Sequence, residues 1–424
     1  MGLYNGDIKK YFNCNPSDIN NKDFLDDYIS LLNNNPGSNY LYDLSPSMVY
    51  SPDKLNTGNK KSVLLMIHEL SRTGAPIVAL DTAKVLVKNG YFVTVISLRD
   101  GLLLDEFMEI GVPVIVMNDL KLLQFRGEEC ARFVSHLDLD AFVYSFDEVI
   151  FITATLFNYV RRYYNLTKKL YWWIHEGSAT YSFIGSLMPK TIGNNIKVFT
   201  GGQYASDCLR EAGFLYYPSV LNYGVFEEKE LMNKKRKKKD DKVVFMLAGT
   251  ICYRKGQAFL LDAIKALSPD EMSKATFIFV GDPYDNDRDG HLLKERIQKA
   301  TEEYDNIKLI KSLTRNELYD QYLNTDVLVI PSTDDPMPVV ATENFMLGNI
   351  CLVSDRTGTS YYINDKDNGF VFRSGDINEL RDKLSYIIQN RDKLNDIKQK
   401  GQRIFEDYFK MDNFERKTLE LMGE

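Results

Sequence analysis

Residues 327–348 read VLVIPSTDDPMPVVATENFMLG, and they decide the fold. Val327 to Ile330 is a short apolar run, as in a strand covered on both faces. Pro331 to Asp335 is turn chemistry. Pro336 and Pro338 stop the strand and pre-set the first helical turn, where a missing N–H costs nothing. The pattern predicts a helix over 339–347 that Gly348 ends. Asp335 stands at its entrance and Glu343 two turns in, about 12 Å apart along the axis at 1.5 Å per residue. Two acids at that span suit an extended ligand with hydroxyls at both ends. Its anionic middle would lie near the helix N-terminus, where unpaired N–H groups and the dipole favour negative charge. A nucleotide sugar has that shape. The plainer alternative is a capped helix on a strand, with Glu343 solvated.

The stretch resembles the E-x7-E signature of retaining GT-B glycosyltransferases of the family 4 type, written E-P-F-G-x-x-x-x-E-A-M-A-x-G. Asp335-Pro336-Met337-Pro338 stands where the family has E-P-F-G, and Glu343 to Gly348 matches the second half. The resemblance implies that Asp335 contacts donor-sugar hydroxyls and that Glu343 holds the ribose, with Met337, Pro338 and Val339 also lining the donor. Asp335 is one methylene shorter than the family's acid. Pro338 replaces a Gly whose amide would donate.

Composition sets the bounds. With 424 residues and 44% of them hydrophobic, the chain can build two or three cored domains. No apolar run of about 18 residues predicts a transmembrane helix. The N-terminus, MGLYNGDIKKYF, lacks a signal-peptide core. Five scattered cysteines, Cys14, Cys130, Cys208, Cys252 and Cys351, have no CxxC spacing, which points to reduced thiols in a cytoplasm and away from a zinc site. A net charge of −7 argues against nucleic-acid binding as the main task.

Upstream, 63–67 reads as a buried strand. A loop with Thr73-Gly74-Ala75-Pro76 follows, then a helix over 77–89 and a strand over 91–98. This is the strand–loop–helix–strand unit of a doubly wound sheet. It resembles the family's first unit, whose loop reads G-G-A-E; one Gly and the acid are missing here. Gly74 allows close backbone approach to a phosphate or sugar; a plain turn is the alternative. No GxGxxG and no GxxxxGK[ST] occurs, which removes the ordinary dinucleotide and P-loop readings.

Further on, 102–111 reads as a helix and 112–117 as a strand. Asp138-Leu139-Asp140 precedes an expected strand over 141–145; this D-x-D is a metal-ligand pattern of GT-A transferases, weighed against acids that merely end a turn. Residues 157–173 mix aromatics with Arg161, Arg162, Lys168 and Lys169, either a face on an anionic membrane or packing under a charged rim. His175-Glu176-Gly177 follows a strand end. The resemblance implies that His175 lies at the cleft beside the donor sugar, and a strand end in a doubly wound domain is where ligands gather.

In the second half, 243–247 reads as a strand and 257–267 as a helix. The loop Ala248 to Gly256 between them resembles the family's G-R-L-x-x-x-K-G, whose cations neutralise the donor diphosphate. Lys255 matches, Thr250 replaces the Arg, and Arg254 supplies a second charge. Fixed cations stabilise a departing nucleoside diphosphate without a metal. The resemblance implies that backbone near Lys311, Ser312 and Leu313 reads the base. Asp285, Asp287, Asp289 and Gly290 match the start of an EF-hand loop, but Arg296 stands where the bidentate Glu belongs.

The expected fold is α/β, a GT-B arrangement of two doubly wound Rossmann-like domains facing across a cleft. The expected layout is an N-terminal extension over 1–59, which carries a helix at 22–32 and a turn at 33–39. An acceptor-side domain follows over 60–228, a charged linker over 229–242 and a nucleotide-sugar-binding domain over 243–405. A helix over 406–424 returns to the first domain. The expected activity is a metal-independent, retaining glycosyl transfer with no cofactor beyond the nucleotide-sugar substrate and His175, Asp335 and Lys255 as catalytic residues. The expected acceptor is a glycan, glycolipid or glycoprotein, in bacterial surface-glycan assembly. The expected site of action is cytoplasmic, with a peripheral contact at the inner membrane face. A non-catalytic GT-B binding subunit and a metal-dependent GT-A enzyme are the rivals.

Overall fold

The computed structural model describes residues 48–56, 58, 60–117, 139–163, 167–227 and 242–423. Two compact units divide the chain. One comprises Met1–Glu176, Thr180–Thr200 and Leu209–Val220; the other Gly177–Ala179, Gly201–Cys208 and Leu221–Glu424.

The first unit carries a sheet of eight described strands: β1 (Met48–Tyr50), β2 (Ser62–Ile67), β3 (Phe92–Ser97), β4 (Val114–Val116), β5 (Glu148–Ile152), β6 (Lys169–Ile174), β7 (Ile196–Thr200) and β8 (Ser219–Val220). Their order is β1-β4-β3-β2-β5-β6-β7-β8, parallel except for β1, which pairs antiparallel with β4. All six residues of β2 and of β3 are buried, as continuous apolar runs of a covered parallel sheet must be. Order reverses between β2 and β5, the switch point beside which doubly wound sheets bind ligands.

The second sheet has six described strands: β9 (Val243–Ala248), β10 (Ala275–Val280), β11 (Ile307–Ile310), β12 (Val327–Ile330), β13 (Ile350–Ser354) and β14 (Phe370–Phe372). Their order is β11-β10-β9-β12-β13-β14, all parallel, with the reversal between β9 and β12. Helices Gln257–Lys265 and Ile377–Gln389 cover its core through Leu260, Leu261, Ile264, Leu380, Leu384 and Ile387. The doubly wound expectation holds in both units.

Several expectations change. The strand expected over 141–145 is instead the helix Leu139–Tyr144, and the strand follows it as β5. Val149, Ile150 and Phe151 are the stronger β-formers, and all of β5 is buried. The end of the expected N-terminal extension is built into the first sheet: β1 pairs with β4, and buried Asn56 exchanges side-chain hydrogen bonds with the Val93 and Gly111 backbone. Residues 1–47 of that extension, with the helix at 22–32, the turn at 33–39 and Cys14, lie outside the described residues, as do Cys130, Asp138 and residues 229–241 of the charged linker. Leu221–Glu424, with the C-terminal helix Met411–Met422, falls in the second unit. There Val225 N–H donates to Phe409 O at 2.9 Å.

The described aromatics of 157–173 prove to be core. Phe157, Tyr159, Tyr163, Tyr171, Trp172 and Trp173 are buried. Arg162 is spent on Asp140, and Lys168 donates to the carbonyls of Tyr144 and Phe146. Packing under a charged rim is the outcome among the described residues of this segment. No helix among the described residues is long and apolar enough to cross a membrane.

Candidate functional site

In the second unit the functional side chains come from loops at the C-terminal ends of β9 and β12, the two strands flanking the switch point. After β9, a single 3₁₀ turn, Tyr253–Lys255, is closed by Gly256 in the left-handed region at φ +74°. A Cβ on Gly256 would lie 2.0 Å from the Pro331 carbonyl oxygen, so only glycine lets this turn press against the β12 loop. Lys255 Nζ therefore reaches Asp335 Oδ2 at 2.6 Å, with Arg254 Nη1 3.9 Å from the same oxygen. Arg254 Nη1 also donates to the Asp334 carbonyl at 2.7 Å, and Thr333 N–H donates to the Arg254 carbonyl at 2.9 Å.

Asp335 is 6% exposed, and its backbone is pinned from the other side. Its N–H donates to the Arg356 carbonyl, and its carbonyl accepts from Gly358 N–H at 2.9 Å. A buried carboxylate needs a charged partner, and Lys255 supplies it. Neighbouring Asp334 is committed elsewhere: it accepts from the N–H groups of Ser178 and Ala179 and from Tyr204 Oη, residues of the same unit. Asp335, rather than Asp334, thus faces the cations.

The helix expected over 339–347 is Val339–Met346, with Pro338 as its N-cap at φ −66° and Gly348 beyond its end at φ +68°. Glu343 lies inside it, 3% exposed, so the solvated alternative fails. Arg315 Nε donates to Glu343 Oε1 at 2.9 Å, Tyr319 Oη to Oε1 at 3.3 Å and Tyr322 Oη to Oε2 at 3.4 Å. Burial raises the Glu343 pKa, and the Arg315 guanidinium opposes that rise. Thr342, its neighbour, shares a 2.9 Å hydrogen bond with Tyr223 Oη. Met337, between the two acids, is half-buried.

Thr250 gives its carbonyl to Gln257 Nε2 at 2.9 Å. The segment Lys311, Ser312, Leu313 follows β11, and Ser312 N–H donates to Asp282 Oδ2 at 2.7 Å. Lys294 and that amide hold the Asp282 carboxyl down at about 2. Asp282 was no sequence candidate; its place after β10 was the available signal. The EF-hand-like acids do helix work: Asp287 caps Arg288–Glu303 by accepting from Gly290 N–H.

In the first unit, His68 follows β2, Thr153 follows β5, and His175 with Glu176 follow β6. His175 Nε2 and His68 Nδ1 are buried with no hydrogen-bond partner among the described residues. Burial, then the neighbouring His68, push the His175 pKa down to about 3, so its imidazole is neutral. Glu176 Oε2 accepts from the N–H groups of Ala154 (2.8 Å) and His175 (2.9 Å), and burial pushes its carboxyl up to about 7. Thr153 adopts φ +111°, a strained value for a non-glycine residue, held by Trp172 Nε1 on its carbonyl. The sequence marked the His175-Glu176 pair; the contact of Glu176 with the Ala154 amide and the strained Thr153 carried no sequence signal. Gly74 opens the helix Gly74–Lys88, and a Cβ there would meet nothing within 4 Å. Asp140 of the D-x-D is taken up by Arg162 Nε and Nη2 and by Tyr163 Oη, each at 2.9 Å.

Comparison with known proteins follows this division. A family model described as "Glycosyl-transferase family 4" matches residues 59–192, and one described as "Glycosyl transferases group 1" matches 227–404. An uncharacterized glycosyltransferase of Haemophilus influenzae is 22% identical over 361 residues, covering 82% of this chain and 96% of that protein. The crystal structure of Anabaena HepE in complex with UDP and glucose superposes with a TM-score of 0.70 at 18% identity, covering 86% of this chain and all of that one. Sucrose-phosphate synthase from Thermosynechococcus elongatus gives a TM-score of 0.67 at 16% identity, covering 86% and 98%. With two doubly wound parallel sheets and the two matching family models, this chain belongs to the GT-B glycosyltransferases of the group 1, family 4 type.

Proposed function

We propose that this glycosyltransferase moves a sugar from a nucleotide-sugar donor to a saccharide, lipid-linked or protein acceptor, with retention of anomeric configuration, in bacterial surface-glycan assembly. The observation that carries the donor reading is the Lys255–Asp335 pair, 2.6 Å apart at the switch point between β9 and β12. It sets a cation suited to a diphosphate beside an acid suited to sugar hydroxyls. In this reading Lys255 and Arg254 hold the diphosphate and stabilise the charge that grows as the glycosidic bond breaks. Asp335 orients the sugar, Glu343 takes the ribose, and backbone near Lys311, Ser312 and Leu313 reads the base. His175, whose ring is neutral, remains the first unit's catalytic candidate. The leaving phosphate deprotonates the acceptor on the same face, so no protein nucleophile and no metal are needed. The HepE crystal structures with UDP and with UDP-glucose make a UDP-hexose the first donor to try.

A peripheral membrane contact is favoured by a different surface from the one expected. Phe183 (81% exposed), Leu187 (45%), Leu215 (68%) and Tyr217 (79%) project from two first-unit segments joined by Leu215 N–H on the Lys190 carbonyl. Lys190 and Arg210 flank them, Arg210 lying 3.4 Å from the Tyr217 ring centroid, and Glu211 is the acid beside them. Apolar tips rimmed by cations suit an anionic bilayer surface.

The test is incubation with UDP-, GDP-, ADP- and dTDP-sugars, with and without EDTA. Slow donor hydrolysis that survives EDTA and disappears in Lys255→Ala supports the reading. Failure to bind any nucleotide points to the non-catalytic subunit, and loss of activity with EDTA points to a metal-dependent mechanism.

A further inference from the structure

We infer that Arg315 is the positioning residue of the nucleotide subsite: it keeps Glu343 as an oriented carboxylate for the ribose hydroxyls. This rests on the donor reading above. Three observations converge on it.

The first is the geometry. Arg315 Nε sits 2.9 Å from Glu343 Oε1, and the Glu343 side chain is 5% exposed while that of Arg315 is 40% exposed. Arg315 therefore bridges a buried acid and the surface. Its guanidinium lies 5.6 Å from the Tyr319 ring centroid, one turn along its own helix. That stacking limits its rotation.

The second is its position. Arg315 is the first residue of the helix Arg315–Tyr322, whose start is locked by the Thr314–Glu317 capping box. A cation there opposes the helix dipole. Helix stability gives no reason for it; the buried acid across the loop does.

The third is the census around Glu343. Helix Arg315–Tyr322 presents Arg315, Tyr319 and Tyr322; the segment after β8 presents Tyr223, with Asp335 beyond it; β13 presents Cys351 against Tyr322. The hydroxyls of Tyr223 and Tyr322 and the Cys351 thiol are all pushed upward, chiefly by burial, and stay protonated at neutral pH. Among the described groups facing Glu343, Arg315 alone is a cation. Burial alone favours the neutral acid, and Arg315 opposes it. A protonated Glu343 would offer the ribose one acceptor fewer.

The experiment is calorimetric titration across pH 5.5–8.5 with whichever of UDP, GDP, ADP or dTDP binds the wild type best. The proteins are the wild type, Arg315→Ala, Arg315→Lys, Glu343→Gln and the Arg315→Ala/Glu343→Gln double variant. Removal of a charged hydrogen-bond partner from a buried acid predicts about a tenfold or larger weakening in Arg315→Ala at low pH, recovering as pH rises. The loss should set in at a higher pH in Arg315→Ala than in the wild type or Arg315→Lys, and the double variant should bind no worse than Glu343→Gln. Wild-type affinity in Arg315→Ala at every pH would overturn the inference. A pH-independent loss that adds to that of Glu343→Gln would also overturn it. If the wild type binds none of the four nucleotides, the donor reading itself falls, and this inference with it.

Discussion

Lys255 and Asp335, 80 positions apart in the chain, meet at 2.6 Å in the loops after β9 and β12. Each stands where the proposed donor reading needs it, and each satisfies the other. Removing one leaves a buried acid without its nearest cation, or the reverse, so the two substitutions have different signatures. Asp335→Asn should retain nucleotide affinity and lower transfer by about 10²–10³-fold. Lys255→Ala should also weaken binding of the nucleoside diphosphate. Steady-state transfer and calorimetry separate the two; equal nucleotide affinity in wild type and Lys255→Ala would remove Lys255 from the diphosphate.

Gly256 makes that meeting possible. Its φ of +74° and the 2.0 Å approach of a built Cβ to the Pro331 oxygen leave no room for a side chain. Gly256→Ala should destabilise the second unit by about 1–3 kcal/mol or more, seen as a lower Tm together with weaker donor hydrolysis. An unchanged Tm would mean that the turn relaxes freely.

Glu176 should leave a mark on the pH dependence of stability. Burial raises its folded pKa to about 7 from an ordinary 4.5. Between those values the folded state holds the proton and the unfolded state releases it, so this group's contribution falls as pH rises through the window. The difference corresponds to about 3 kcal/mol. Glu176→Gln keeps an acceptor for the Ala154 and His175 amides and removes the titration. Its Tm should decline less than that of the wild type from pH 4.5 to 7; parallel profiles would refute the assignment.

The exposed Phe183 and Tyr217 should matter for membrane attachment and little for stability. Phe183→Ser/Tyr217→Ser should lower binding to phosphatidylglycerol vesicles by about tenfold or more and leave Tm within a degree or two. Equal sedimentation with phosphatidylcholine and phosphatidylglycerol vesicles would argue against a charge-assisted surface.

Much of this organisation was legible in advance. Val327 to Ile330 and Val63 to Ile67 announce covered strands because each run is apolar, short and bounded by turn residues, and both proved buried. The helix at Val339 was readable from Pro338 and Gly348. The segment 139–152 misled, because an acidic turn followed by Ala141-Phe142-Val143 has no clear period; burial of the stronger run at 149–152 decided it. The aromatics of 157–173, mixed with Arg161, Arg162, Lys168 and Lys169, left a membrane face and packing under a charged rim both open, and the burial of the described ones decided for packing.

The amino-acid order by itself determined where strands and helices alternate and which loops carry acids and cations, since both depend on residues a few positions apart. The tertiary structure alone decided that Asp335 answers to Lys255, that Glu343 answers to Arg315, and that Asp334 and Asp140 are spent elsewhere. Those pairings join residues between 22 and 156 positions apart. Burial removes water as an alternative partner for a charge, so which distant group lies within reach sets its role.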